Sequence, residues 1–352
     1  MSAATGLSDQ SAMRPTRTES QTCEPHFADD AWHGTAEGIE NVRLARDTHR
    51  LRIHCPAIAR RIVPGQFVML RLAGCDDPLL GRPLALYDTV LSAAGEPVGL
   101  DLVYLVVGKL TRRLAELGPG AAFDIWGPLG NGFDLRPTKH LIMVAGGIGQ
   151  TPFPALAQEY LGLRAYGDPP RGRVSPRRER VSKILAHIDA PRVTLCYGTR
   201  SADYLAGVED FQRLGVEVHV STDDGTAGHH GLVTEVLEEL LNRTEETGNA
   251  ECGMRNVESV SFKDSEQSHS AFPIPHSALH IACCGPEPMM EAVARLAQQY
   301  RVSCQVSLET PMACGIGICF SCVAKVRQDQ NTWDYRRTCV EGPVFDAQRI
   351  VW

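Results

Sequence analysis

Hydrophobic and polar positions change rhythm twice along this chain, and the changes divide it into parts. Up to residue 36, Ser, Thr, Ala and Asp recur without periodicity, which predicts a disordered N-terminal extension over 1–36. From Glu37 onward short segments alternate, at 42–55, 66–73, 82–92, 98–107 and 121–126. The turn signals Pro64-Gly65, Ala94-Gly95 and Gly118-Pro119-Gly120 separate them. Strands at this spacing predict a small antiparallel β-barrel over 37–138. One helical piece, 111–117, precedes the last strand, with Thr111 as its N-cap.

The second change comes at His140. An apolar strand, 140–144, runs into Ala145-Gly146-Gly147-Ile148-Gly149-Gln150-Thr151-Pro152, and a helical pattern follows over 153–163. Strand, glycine turn and helix form the phosphate-binding start of a dinucleotide fold, although this turn is not G-x-G-x-x-G and alone is a weak signal. Three more strands, 192–197, 216–221 and 278–283, end in Gly198-Thr199-Arg200, Asp223-Asp224-Gly225 and Cys284-Gly285-Pro286. Strand ends carrying Gly, Asp and Cys in series are where an α/β sheet binds its ligand, so an α/β nucleotide-binding domain is predicted over 139–302. Segments 164–184 and 243–276 read as mobile surface insertions, and the arginines of 171–180 as a solvated loop rather than a partner site.

The last part, 303–352, carries the densest chemistry. Cys314, Cys319, Cys322 and Cys339 are spaced C-x4-C-x2-C-x16-C, the plant-ferredoxin-like pattern for a 2Fe–2S cluster. Gly315 and Gly317 let backbone N–H groups approach the sulfides, because they lack a Cβ and tolerate positive φ. Ile316, Ile318 and Phe320 are expected to keep water off the cluster. A structural zinc site takes four thiolates too, but zinc ribbons present two distant C-x2-C knuckles, whereas here three ligands crowd into nine residues. The fold class is therefore multidomain: a β-barrel, an α/β domain and a small 2Fe–2S domain.

Bulk properties narrow the partners. A 352-residue chain holds two or three domains. A formal charge of -7 without a like-charge block argues against nucleic acid. No apolar run has the length of a membrane helix, and the first twenty residues lack an apolar signal core. Eight of the twelve cysteines lie scattered outside the cluster, which reads as reduced thiols in a cytoplasmic protein rather than disulfides.

Three stretches of the barrel carry a resemblance: Gly81-Arg82-Pro83-Leu84-Ala85-Leu86-Tyr87, Val103-Tyr104-Leu105-Val106-Val107-Gly108-Lys109-Leu110-Thr111, and Trp126-Gly127-Pro128-Leu129-Gly130-Asn131-Gly132-Phe133. In this order they resemble the flavin-binding barrel of the ferredoxin–NADP reductase superfamily. With the Leu308-Glu309-Thr310-Pro311-Met312-Ala313-Cys314 entry and the Cys339-Val340-Glu341-Gly342-Pro343-Val344-Phe345 exit, the chain from about residue 38 is similar to the electron-transfer subunit of class 1B dihydroorotate dehydrogenase. The resemblance implies FAD, a 2Fe–2S cluster and NAD as cofactors. It also implies an FMN-containing catalytic subunit as partner, in a heterotetramer, for de novo pyrimidine synthesis.

Carried over by resemblance, the flavin contacts are Arg82, Pro83, Leu84, Ala85, Val103, Tyr104, Leu105, Leu110 and Thr111, with the arginine fork on the pyrophosphate. Two depart from the family, which has Ser where Ala85 stands and Gly where Leu110 stands. Gly146, Gly147 and Gly149 are expected beneath the nucleotide phosphates, and Gly285 and Pro286 near the nicotinamide. Asp223 and Asp224 favour NAD over NADP, against Arg200. No general base for substrate deprotonation stands out, and His140, His187 and His280 read as structural. Two alternatives share parts of the pattern: the small subunit of a sulfide dehydrogenase or NADPH–ferredoxin oxidoreductase, and a non-enzymatic zinc-bearing binding protein.

Overall fold

The computed structural model describes residues 31–167, 176–188, 190–252, 279–328 and 332–352. The barrel closes from six antiparallel strands: β1 (Trp32–Ala45), β2 (Thr48–His54), β3 (Phe67–Leu72), β4 (Arg82–Leu91), β5 (Pro97–Leu105) and β6 (Ala122–Leu129). Their order is β1-β2-β5-β4-β3-β6, with β1 paired to β6 to close the ring. Alternate residues Leu51 and Ile53, Val68 and Leu70, Leu100 and Leu102, and Phe123 and Ile125 fill its interior. That alternation is the period-two pattern the strands display in sequence.

Two expectations for the barrel change. The segment 42–55 is not one strand but the inner parts of β1 and β2, turned at Arg46-Asp47, where Asp47 takes φ 53. The N-terminal extension expected over 1–36 ends earlier, because Trp32 to Glu37 pair with Gly127 to Ala122. Residues 1–30 lie outside the described part of the chain. Two short helices decorate the barrel, α1 (Pro56–Ala59) and α2 (Lys109–Ala115). The N-cap of α2 is Gly108 rather than Thr111, which sits at the third helical position with its Oγ1 accepting from the Val107 and Gly108 N–H groups, both at 3.0 Å.

The second unit is a seven-stranded sheet built from β7 (His140–Gly146), β8 (Arg192–Thr199), β9 (Glu217–Thr222), β10 (His229–His230), β11 (Leu279–Cys284), β12 (Ser303–Ser307) and β15 (Val344–Asp346). Its order is β10-β9-β8-β7-β11-β12-β15, parallel except for β15. Helices cover both faces: α3 (Phe153–Tyr160), α4 (Pro176–Leu185) and α5 (Val208–Arg213) on one, α6 (Val233–Cys252) and α7 (Glu287–Gln299) on the other. Central strands buried on both sides require continuous apolar runs, and Leu141 to Ala145 are all fully buried.

β12 and β15, both within the 303–352 segment expected as the cluster domain, belong to this sheet. The cluster segment is an excursion over 308–343 between neighbouring strands of one sheet, and it carries its own hairpin, β13 (Val323–Arg327) and β14 (Trp333–Arg337). Within the 164–184 segment, residues 168–175 lie outside the described part, and 176–184 are helical and packed. Its α4 packs Val181 into the core, and Arg177 pairs at 2.8 Å with the buried Glu159. Arg180 pairs with Asp134, so these arginines serve intramolecular contacts. The second insertion, 243–276, begins as the end of α6, and 253–278 lie outside the described residues.

Asp88 on β4 fixes the barrel to the sheet. It accepts from Gln158 Nε2 at 2.8 Å, Arg164 Nη1 at 2.6 Å and the Tyr166 hydroxyl at 2.8 Å. A carboxylate spanning three donors from the following unit holds the two ligand-binding faces in one geometry. His140 and His280 are buried and bonded to Thr194, and to Ser303 and Gln305; burial lowers both to about 4, which keeps them neutral and structural.

Candidate functional site

A cavity of about 370 Å³ opens between the barrel and the sheet. Arg82, Pro83, Leu84 and Ala85 from β4, Val103, Tyr104 and Leu105 from β5, and Leu110 and Thr111 from α2 all line it. The structure thus brings together every residue that the resemblance named for the flavin. Leu110 fits because the backbone there is helical and has no positive φ. The walls are mostly aliphatic, and the one fixed charge contributed by the barrel is Arg82, whose Nη1 donates only to the neighbouring carbonyls of Leu80 and Gly81. Gly108 has open space where a Cβ would sit, at the start of α2. An apolar slot with a guanidinium and a helix start is a donor set suited to a flat ring system carrying a pyrophosphate.

A second cavity, of about 670 Å³, lies at the carboxyl ends of β7, β8 and β11. Gly146, Gly147, Gly285 and Pro286 line it, with Arg200 and Asp223. Gly147 has φ +55 and faces open space, as a phosphate-cradling turn requires. Gly149 plays another part. A Cβ there would come 2.2 Å from the Cys284 carbonyl oxygen, and the residue lines the flavin cavity, not this one. Its lack of a side chain lets the ends of β7 and β11 meet. Asp223 and Arg200 both reach the nucleotide cavity; Asp224 does not line it and instead accepts from Thr226. The two cavities share Leu105, Val107, Ile148 and Glu309 as walls, so ligands filling both would touch.

The four cysteines lie close enough to influence one another, Cys319 facing Cys314 and Cys339 facing both Cys322 and Cys314. Hydrogen bonds from Ser321 bring the exposed Cys319 thiol down to about 6, while burial and Cys322 push Cys339 up to about 12. Among the described residues no three Cys, His, Asp or Glu side chains converge as a single metal ion needs. Four thiolates are the donor set that a 2Fe–2S cluster takes. Gly315 and Gly317 adopt φ +71 and +78, the positive values that only glycine takes without strain. Ile316 packs inward, but Ile318 and Phe320 point outward with exposures of 71% and 63%. The left-handed turns at the glycines flip alternate side chains to the surface, so these two do not cover the cluster as expected.

What holds the cluster loop was not visible from spacing. Cys322 and Cys339 share a small core with Phe67, Met69 and Leu129 of the barrel, flanked by Trp126, Met312 and Ile316. The Trp126 indole N–H donates to the Cys314 carbonyl at 2.9 Å. Phe67 and Met312 also line the flavin cavity, so the cysteines lie one layer of side chains from it.

The comparisons agree with this arrangement. Residues 309–351 match the family model described as the iron–sulfur cluster binding domain of dihydroorotate dehydrogenase B. The chain is 28% identical over 321 residues to the dihydroorotate dehydrogenase B (NAD(+)) electron transfer subunit of Caldanaerobacter subterraneus, covering 91% of this chain and 99% of that one. To the same subunit of Bacillus caldolyticus it is 30% identical over 311 residues, covering 88% and 94%. The chain belongs to the family of dihydroorotate dehydrogenase B electron transfer subunits.

Among solved structures, that of an NADH-dependent reduced ferredoxin–NADP oxidoreductase superposes with a TM-score of 0.63 at 25% identity, over 90% of each chain. A cytochrome P450 reductase from Amycolatopsis shares the fold at a TM-score of 0.51 and 20% identity, over 78% of this chain and 67% of that one. The fold is thus shared with other reductases, and the family follows from the sequence relatives. No helix among the described residues is long and apolar enough to cross a membrane.

Proposed function

We propose that Cys314, Cys319, Cys322 and Cys339 hold a 2Fe–2S cluster, that Arg82, Pro83, Leu84, Ala85, Val103, Tyr104, Leu105, Leu110 and Thr111 hold FAD, and that the glycine-lined cavity takes NAD. The chain is an oxidoreductase subunit that passes electrons from dihydroorotate oxidation to NAD⁺ in pyrimidine biosynthesis. When bound, the cluster handles single electrons and the flavin turns pairs of them into a hydride for NAD⁺. The chain's own residues position and insulate. Arg82 anchors the phosphate end of the flavin, Leu84, Val103 and Leu105 exclude water from its ring, and Gly147 admits the nucleotide phosphates. Phe67 and Met312 keep the gap between cluster and flavin short and dry.

The observation that carries this reading is the continuity of walls. The cluster core shares Phe67 and Met312 with the flavin cavity, which shares four residues with the nucleotide cavity. We place substrate oxidation on the partner catalytic subunit that the relatives' naming as an electron transfer subunit implies, and we take that subunit to carry FMN within a heterotetramer. The exposed Ile318 and Phe320 offer that subunit an apolar rim beside the cluster. The unpaired buried thiols of Cys55, Cys196, Cys283 and Cys304 suit a reducing cytoplasm.

The isolated chain is expected to reduce an artificial dye with NADH at a rate unaffected by orotate, and to show no dihydroorotate oxidation. Steady-state rates with NADH and NADPH in parallel check the nucleotide assignment. Equal turnover with both would overturn the preference for NAD, and dihydroorotate oxidation by the chain alone would overturn the division of labour.

A further inference from the structure

The hairpin that returns the chain to Cys339 ends in two adjacent cations, Arg336 and Arg337, served by one carboxylate. Glu341 accepts from Arg336 Nη1 at 3.4 Å, from Arg337 Nε at 3.5 Å and from the Arg337 backbone N–H at 2.7 Å. One positive charge is left over beside the cysteines. Arg337 is also held against the cluster loop itself. Its Nη1 donates to the Gly317 carbonyl at 2.9 Å, and its guanidinium lies 5.3 Å from the centre of the Phe320 ring. Phe320 takes φ 56, a left-handed conformation that a side chain of its kind rarely adopts, and its exposed ring is stacked under the guanidinium. The side chain of Arg337 is only 29% exposed, so its charge is incompletely screened.

We propose that Arg337 sets the reduction potential of the 2Fe–2S cluster, as a permanent cation clamped to the cluster loop by Gly317 and Phe320. A centre ligated by four thiolates is already anionic, and accepting one electron adds one more negative charge. A fixed positive charge nearby favours the form that has gained the electron, and an arginine remains charged at any working pH. Charge and hydrogen bonding around the sulfurs are the means by which a protein tunes such centres. The cluster thereby becomes a readier acceptor for electrons arriving from the partner subunit. Arg337 acts through the cluster loop and is a positioning residue, not a catalytic one.

This inference rests on the cluster assignment above, so the test first establishes the cluster. The full-length chain with its FAD is purified anaerobically, and iron content and the EPR signal of the dithionite-reduced protein are recorded. A wild-type chain lacking both would refute the assignment itself. The cluster midpoint is then measured by EPR-monitored redox titration. Arg337→Gln is expected to lower the equilibrium constant for electron uptake about tenfold, a midpoint about 59 mV more negative, while Arg337→Lys stays near wild type. Glu341→Gln, which removes the neutralising carboxylate and leaves the cation, is expected to move the midpoint in the positive direction. A midpoint unchanged in Arg337→Gln with the cluster present, or Arg337→Lys shifting as far as Arg337→Gln, would show that the residue only fastens the loop. If Arg337→Gln assembles no cluster, the sign of the Glu341→Gln shift decides: a negative shift or none overturns the proposal.

Discussion

Cys339→Ser is expected to give a folded chain that has lost its cluster. Iron and acid-labile sulfide, about two of each per chain in the wild type by the stoichiometry of a 2Fe–2S centre, fall to background, and the reduced-cluster EPR signal disappears. Cys339 is fully buried in the small core shared by the cluster loop and the barrel. A serine there leaves a hydroxyl among Phe67, Met69 and Leu129, at a cost of about 1–3 kcal/mol. That is less than the roughly 5–15 kcal/mol by which a domain is stable, and the main barrel and sheet cores do not include this residue. Far-UV circular dichroism and FAD content are therefore expected to match the wild type. Cys339 lines neither large cavity, which is why flavin retention separates cluster loss from unfolding. Iron retained at wild-type levels, or zinc found in its place, would contradict the ligand assignment.

The second large effect falls on the flavin. Arg82→Ala removes the only arginine among the described residues that line the flavin cavity. A hydrogen bond to a charged group contributes about 1.5–3 kcal/mol, which corresponds to roughly 10- to 150-fold weaker FAD binding. The substitution should leave the fold alone, because Arg82 is exposed and its hydrogen bonds go to its own neighbours Leu80 and Gly81. Quenching of FAD fluorescence on titration into the apoprotein measures the change. An unchanged dissociation constant would mean that the pyrophosphate lies elsewhere. Restored affinity in Arg82→Lys would assign the effect to charge alone, and a partial loss would assign part of it to the fork geometry.

Much of this arrangement is legible in the chain because it depends on local pattern. Alternation marks the barrel strands, strand-then-glycine marks the ligand edge of the sheet, and cysteine spacing marks the cluster. What was not legible depends on where distant segments meet. Trp126 sits in a barrel motif, yet its function here is to donate to the Cys314 carbonyl 188 residues later. Gly149 looks like one of three phosphate glycines, but contact with the Cys284 carbonyl gives it a packing role. Thr111 has the residue type of an N-cap; the chain instead caps α2 at Gly108 and uses the threonine hydroxyl to tie down the preceding backbone. Ile318 and Phe320 have the composition of a cover, and only the left-handed loop turns them to the surface. That the last part of the chain shares the sheet was hidden for a related reason. Strand β15 returns after the cluster excursion to pair with β12, a long-range pairing that no local signal announces.

The most direct test of the account is reconstitution. The full-length chain, loaded with FAD and cluster, is mixed anaerobically with the purified partner catalytic subunit, and NADH formation from dihydroorotate and NAD⁺ is followed by absorbance. The account predicts NADH formation only when both chains are present, and its loss when Cys339→Ser replaces the wild-type chain. NADH formation at the wild-type rate with the Cys339→Ser chain, or by either chain unaided, would contradict it.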